Sequence, residues 1–450
     1  MMKKMKLVWL LTMLVGACDP GTEMSSMEEF ESPLLKMGKA DWTMEGTEEQ
    51  FFSGFDWVND PEGFVPGMEK KLSALPLKGH AIRIPWSDTY WPKNKGSISH
   101  RWSNEWMKRK GPQSAEEAMT WSASELQALS PAEKYDLYVG NYNYSLTSRV
   151  EAESSPLTPS WQGHCHGWTM ASIHYTEPSP VTVTNPDGIR IDFGSSDIKA
   201  LLTYYQGDVA QSLWGQSILP FTRDVKVGGG TCLSQSPTDS NCQDANPGLF
   251  HIALANFLGV RKQAFGIDAT TTREKWNHPV YRYQSEILGE RSPGPGAQEE
   301  TVREVIVRSR VTYATEIEPR WDPVLTTDYQ ASVDKVYTYT LELNEQGEII
   351  GGQWILLLED RTTPTFRQAW AYLTTVDDEG NGQPDHTEEE AANIMWSHFN
   401  FPDYVWFQDR APFAEEFKQA ASAYVFLANS PGSRKSLFQY FARLKSLVSP

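Results

Sequence analysis

The chain has 450 residues, with 40 basic against 58 acidic side chains and a formal charge of −18. So acidic a surface repels polyanions, which excludes nucleic acid as a natural partner. An apolar share of 40%, with 17 tryptophans spread along the chain, supplies a large core, enough by length for two or three domains.

Residues 1–17 join a short basic start, "MMKKMK", to an apolar run too short to span a bilayer, the pattern of an exported leader. Val15-Gly16-Ala17-Cys18 matches a bacterial lipobox, which makes Cys18 the lipidated N-terminus of the mature chain. The alternative is an ordinary leader cut nearby. Residues 18–60 are acidic and non-periodic and suit a tether. The folded body is then 61–450. The chain is expected in the bacterial cell envelope, touching membrane only through its lipid.

Residues 80–102, "HAIRIPWSDTYWPKNKGSISHRW", alternate like a strand and then turn through Pro85, Pro92 and Gly96. Their aromatics suit either plain packing or a cover over a cleft. Ser130-Pro131 with Glu133 marks a helix start. A helix opens near Cys165 and stops before Pro178. Another is capped by Ser195 or Ser196 and ends near Gly207. Of the four cysteines, Cys232 and Cys242 bracket a polar, turn-rich loop and read as a disulfide in an oxidising envelope, which leaves Cys165 unpaired. Asn246 caps a helix with Pro247 at its first position and Gly259 at its end. Residues 261–270 form a strand, and 289–298 a loop between the two halves. From 301, long alternating segments predict antiparallel half-buried strands with a turn at 344–347. In 377–388, Asp377, Glu379, Asn381, Gln383, Asp385 and Glu388 take ligand positions of an EF-hand-like calcium loop with Gly382 at its turn. An acidic hairpin is the competing reading. Helices over 411–429 and 431–447 close the chain. The fold class is α+β.

The chemistry concentrates in "WQGHCHGW", residues 161–168. A thiol becomes a nucleophile when a helix N-terminus and an imidazole favour its thiolate, and Cys165 has the first by position. His164 and His166 adjoin it, so their rings diverge from the sulfur. The same adjacency disfavours zinc or copper, whose ligands need spacing to converge. Among the nine histidines, His251 is the expected base, because an imidazole in an otherwise apolar helix needs a partner. Asp268 follows at a strand end, placed to orient it.

Several motifs in order resemble the transglutaminase-elicitor family of oomycetes and bacteria. They are "WQGHCHGW", "SSDIKALL", "GLFHIALANFLG", "GIDATTTREKWNHPVYRY" and "LELNEQGEIIGGQW", with likeness over about 75–410. The resemblance implies a papain-like and transglutaminase-like core, a nucleophile helix packed on antiparallel strands. It also implies protein-glutamine γ-glutamyltransferase activity on proteins bearing glutamine and lysine, with no cofactor needed for the chemistry. It carries the nucleophile to Cys165, the base to His251 and the acid to Asp268, with Asn277 a competing orienter. Gln162, where the elicitor motif has an aromatic, becomes an oxyanion donor. Trp161 and Trp168 become walls that keep water from a thioester. A cysteine peptidase using the same trio and a non-catalytic envelope lipoprotein are the alternative readings.

Overall fold

A computed structural model describes residues 54–55, 59–209, 224–229, 245–269, 275–294, 296–355, 402, 404–408 and 447. The leader, Cys18, most of the tether, the Cys232–Cys242 pair, the 377–388 loop and nearly all of the two closing helices lie outside them. Among the described residues no helix is long and apolar enough to cross a membrane.

Helices dominate the first half. After a short strand, β1 (Lys78–His80), the chain does not continue extended to 102. Pro85 and Pro92 lack ladder donors, Trp91 and Ser97 turn to positive φ, and two 3-10 turns follow at Lys93–Lys95 and Ser97–Ser99. The segment is a strap. Helix α1 (Pro131–Tyr138) starts at Ser130 with a full capping box to Glu133, as the sequence predicts. Then come α2 (Ser145–Ala152) and α3 (Cys165–His174). A small hairpin of β2 (Val181–Thr184) and β3 (Arg190–Phe193) precedes α4 (Ser195–Tyr204). The cap of α4 is Gly194 rather than a serine, because Asp197 reaches back to accept the Gly194 N–H at 2.8 Å. Past Tyr204 the helix relaxes into a π turn at Tyr205–Val209.

The second half is mainly sheet. Strand β4 (Asp224–Gly229) is followed by α5 (Pro247–Ala253), whose π-helical continuation is Leu254–Val260. Strands β5 (Phe265–Asp268), β6 (Asn277–Arg291), β7 (Arg303–Ala314), β8 (Ser332–Leu343), β9 (Ile349–Ile355) and β10 (Tyr404–Gln408) complete it. The order is β4-β10-β5-β6-β7-β8-β9, with β1 on β6, and every pairing is antiparallel. Bulges at 280/282 and 287/289 bend β6. The sheet curls, so that α5 packs on β8 and β9 near one end and on β4 at the other.

Two cores result. Inside the curl, Phe250 of α5 meets Tyr337, Tyr339 and Trp354, and Leu249, Ile252 and Phe257 fill the rest. Each such side chain contributes about 1.5–3 kcal/mol by leaving water. The helix lies close to β9: a Cβ on Gly248 would stand 2.5 Å from the Gly351 carbonyl oxygen. A second core joins α1, α3, α4 and the strap through Trp86, Trp91, Tyr135, Trp168 and Leu201. Helix α3 lies between them, its Ile173 on the first core and its Trp168 in the second. That junction places the site.

Candidate active site

Cys165 is the first residue of α3 and 5% exposed. Its Sγ donates to the Lys275 carbonyl at 3.4 Å, and Asn277 Nδ2 donates to the sulfur at 3.7 Å. Asn277 opens β6 and pairs in register with Asp268, the last residue of β5. Asp268 in turn accepts the Trp276 N–H at 2.9 Å. The fold therefore gathers Cys165, Asn277 and Asp268. Burial pushes the thiol up to about 11; hydrogen bonds from Asn277 oppose this, and the Glu316 and Asp268 carboxylates add to it. At rest the sulfur holds its proton.

His251 is elsewhere. It is fully buried, and its Nδ1 lies 2.8 Å from the Tyr339 hydroxyl. That hydroxyl is 2.6 Å from Ser309 Oγ, itself 2.6 Å from Ser285 Oγ. Ser285 stands eight residues along β6 from Asn277, roughly 25 Å at about 3.3 Å per residue. The hydrogen-bonded chain spans far less than that, so the structure does not bring His251 to the thiol. The reason is topological: α5 turns this ring onto β8 inside the curl, whereas Cys165 sits at the ends of β5 and β6. Burial alone lowers the imidazole to about 4.

A different histidine stands beside α3. His278 follows Asn277 on β6, and its ring meets Trp168 edge-on with centroids 6.1 Å apart. Trp168 is one helical turn below Cys165, and residues so spaced share a helix face. His278 Nδ1 lies 3.3 Å from the Ala314 carbonyl and 4.0 Å from the Glu316 carboxylate, and Tyr313 packs on the ring at 4.8 Å. The Glu316 charge that acts on Cys165 thus also faces His278. His278 is only 8% exposed, and no sequence pattern marks it: the pairing of β6 with β5 and β7 is what puts it beside α3.

Trp168 is fully buried, with its indole N–H on the Trp86 carbonyl at 3.1 Å, so it supports the imidazole from beneath. Trp161 is half-buried at the loop before α3. Gln162 is held through its backbone, its carbonyl accepting Lys93 N–H at 2.9 Å and its N–H donating to the Pro159 carbonyl at 3.0 Å. Tyr90 from the strap, near Gly163, and Trp276 beside Asn277 pack edge to face at 5.4 Å. The strap does cover this end of α3: the Tyr90 carbonyl accepts the His164 N–H at 2.6 Å. A Cβ on Gly163 would stand 2.5 Å from that same oxygen. His164 and His166 point away from the sulfur, the first to Ser97 and Asp208, the second to Gly207.

An α+β body with a buried thiol at a helix N-terminus, beside a strand that carries an amide and an imidazole, is the frame against which known proteins compare. The transglutaminase elicitor family model matches residues 61–372. The chain belongs to that family. Among solved structures it is similar to the GP42 transglutaminase from Phytophthora sojae, at 22% identity and a TM-score of 0.49, over 78% of this chain and 89% of that one. No curated protein matches.

Proposed function

We propose that this protein is a protein-glutamine γ-glutamyltransferase with Cys165 as nucleophile and His278 as its proton carrier, oriented by Glu316. The observation that carries the reading is the meeting of Cys165, at the start of α3, with the mouth of β6, where Asn277 touches the sulfur and His278 packs one turn below. Family membership supports the reaction class.

The chemistry follows from these groups. A glutamine carboxamide reaching the start of α3 displaces the thiol from the Lys275 carbonyl. Sγ attacks the carboxamide carbon as its proton passes to His278. The oxyanion is held by first-turn N–H groups of α3, which donate to no described residue; such donors are worth about 3–4 kcal/mol each. His278 returns the proton to the departing nitrogen, and ammonia leaves a thioester. A lysine amine then attacks to form the isopeptide bond, passing its proton back through His278; water in its place gives glutamate. No cofactor enters these steps. Asn277 keeps the sulfur in line, and Asp268 holds the Trp276 loop end. The leader and lipobox support an envelope location with Cys18 lipidated, where glutamine- and lysine-bearing proteins are the substrates. The 377–388 loop remains a calcium proposal separate from the chemistry.

Incorporation of a fluorescent amine into a glutamine-bearing protein tests this. The wild type incorporates label, and Cys165→Ala reduces it to background without loss of fold. Cleavage of peptides with no label incorporated shifts the reading to a cysteine peptidase. Activity unchanged in Cys165→Ala ends both.

A further inference from the structure

Three polar side chains outside the site just described meet at the other flank of α3. His164 is 1% exposed and precedes the nucleophile directly. Its Nε2 lies 2.7 Å from Ser97 Oγ, and its Nδ1 lies 2.7 Å from Asp208 Oδ2. Ser97 comes from the strap at φ 54°, a left-handed conformation that a serine adopts only under constraint. Asp208 comes from the π turn after α4, so the chain ties three segments to one ring. Tyr204 packs edge-on against that ring at 5.5 Å.

His164 also occupies the N-cap of α3, a position normally held by a side chain that turns inward onto the first N–H groups. Here it makes no such bond. The ring is drawn outward to Ser97 and Asp208, while the backbone N–H is fixed on Tyr90 and the carbonyl takes the Trp168 N–H at 2.9 Å. The N–H groups of Cys165, His166 and Gly167 have no acceptor among the described residues.

We infer that Ser97, His164 and Asp208 form a positioning clamp that aims Cys165 and keeps the first-turn N–H groups of α3 open to the reacting carbonyl. The inference deepens the acyl-transfer reading and rests on it for its catalytic consequence. It makes His164 a positioning residue, acting through the helix start and not on the substrate. The charges that face the clamp are His166 and Lys93 from the α3 and strap sides, and Arg149 and Glu153 from the α2 side through Tyr204. Burial would raise the Asp208 carboxyl, but the His164 ring beside it, then His166 and Lys93, hold it well below the usual carboxylate range. The anchor therefore stays ionised across the working range.

The test uses the full chain with two variants. Ser97→Gly deletes the hydroxyl and suits the left-handed backbone, and Asp208→Asn removes the anion. Iodoacetamide alkylation of Cys165 is followed against pH by peptide mass. In both variants the rate at neutral pH is expected to fall about tenfold and the inflection to move upward, with kcat for amine incorporation down about 10–100-fold and KM nearly unchanged, as misplacement of a reacting atom by about 1 Å implies. Folded variants with the wild-type alkylation profile overturn the inference. Loss of fold in both variants also overturns it, since the trio is then only a scaffold contact. If the wild type incorporates no amine, the function proposal fails, and the alkylation profiles still decide the clamp.

Discussion

His251 is a neutral imidazole in a dry interior, with its Nε2 lacking a hydrogen-bond partner among the described residues. Its depressed pKa makes it a stability group: the unfolded chain binds a proton near pH 6.5, and the folded one resists until about 4. Its contribution is full above pH 6.5 and is lost as pH falls toward 4, a change on the order of 3 kcal/mol. Asp88 works in the opposite sense. Burial pushes it up to about 6 against the Lys199 charge and bonds from Ser196 and Trp91, so its contribution is present below the unfolded value and lost as pH rises through 6. The overlap makes the wild-type curve shallow. Replacing His251 by Gln removes one side of this balance. Denaturant melts between pH 4 and 7 are expected to show the variant losing less stability on acidification than the wild type. At this scale the sequence was half legible. An imidazole in an apolar helix does need a partner, and it has one, but that partner is Tyr339 across the curl. Cys165 is recognisable from its neighbours, whereas His278 is not, since only the pairing of β6 with β5 and β7 puts it beside α3.

Individual elements follow local rules closely. Ser130 and Glu133 close a capping box, Asn246 caps α5 through Gly248 N–H at 2.8 Å, and Pro247 takes the first helical position. The strap breaks the strand pattern because Pro85 and Pro92 deny it ladder donors. One tie between elements is invisible in the sequence. Lys134 of α1 and Asp197 of α4 are both fully buried with Nζ and Oδ2 at 2.6 Å, and Asp197 also accepts from Gly194 N–H and Trp102 Nε1, each at 2.8 Å. Removing one partner of such a pair strands the other charge. Lys134→Met is expected to cost about 3–5 kcal/mol in denaturant unfolding, while Asp197→Asn with Lys134→Met recovers part of it. Additivity of the two single losses would contradict the coupling.

Over the whole molecule, the decisive contacts are long-range. Cys165 meets Lys275 and Asn277 across 110 and 112 residues, and no periodicity reports that junction. Pattern reading does deliver the α+β class, the antiparallel strands from 303 to 355 and the turn at 344–347, because each is set by neighbours in the chain, but it misses β6. It does not deliver the curl of the sheet around α5, which separates one buried histidine from the thiol and leaves the other beside α3. The central claim is therefore a choice between two imidazoles, and one comparison of amine incorporation decides it. His278→Gln is predicted to lose about 10²–10⁴-fold in kcat, the usual worth of a positioned acid–base group, while folded His251→Gln stays within a few-fold of the wild type. The reverse ranking, with His251→Gln inactive and His278→Gln active, would contradict the account.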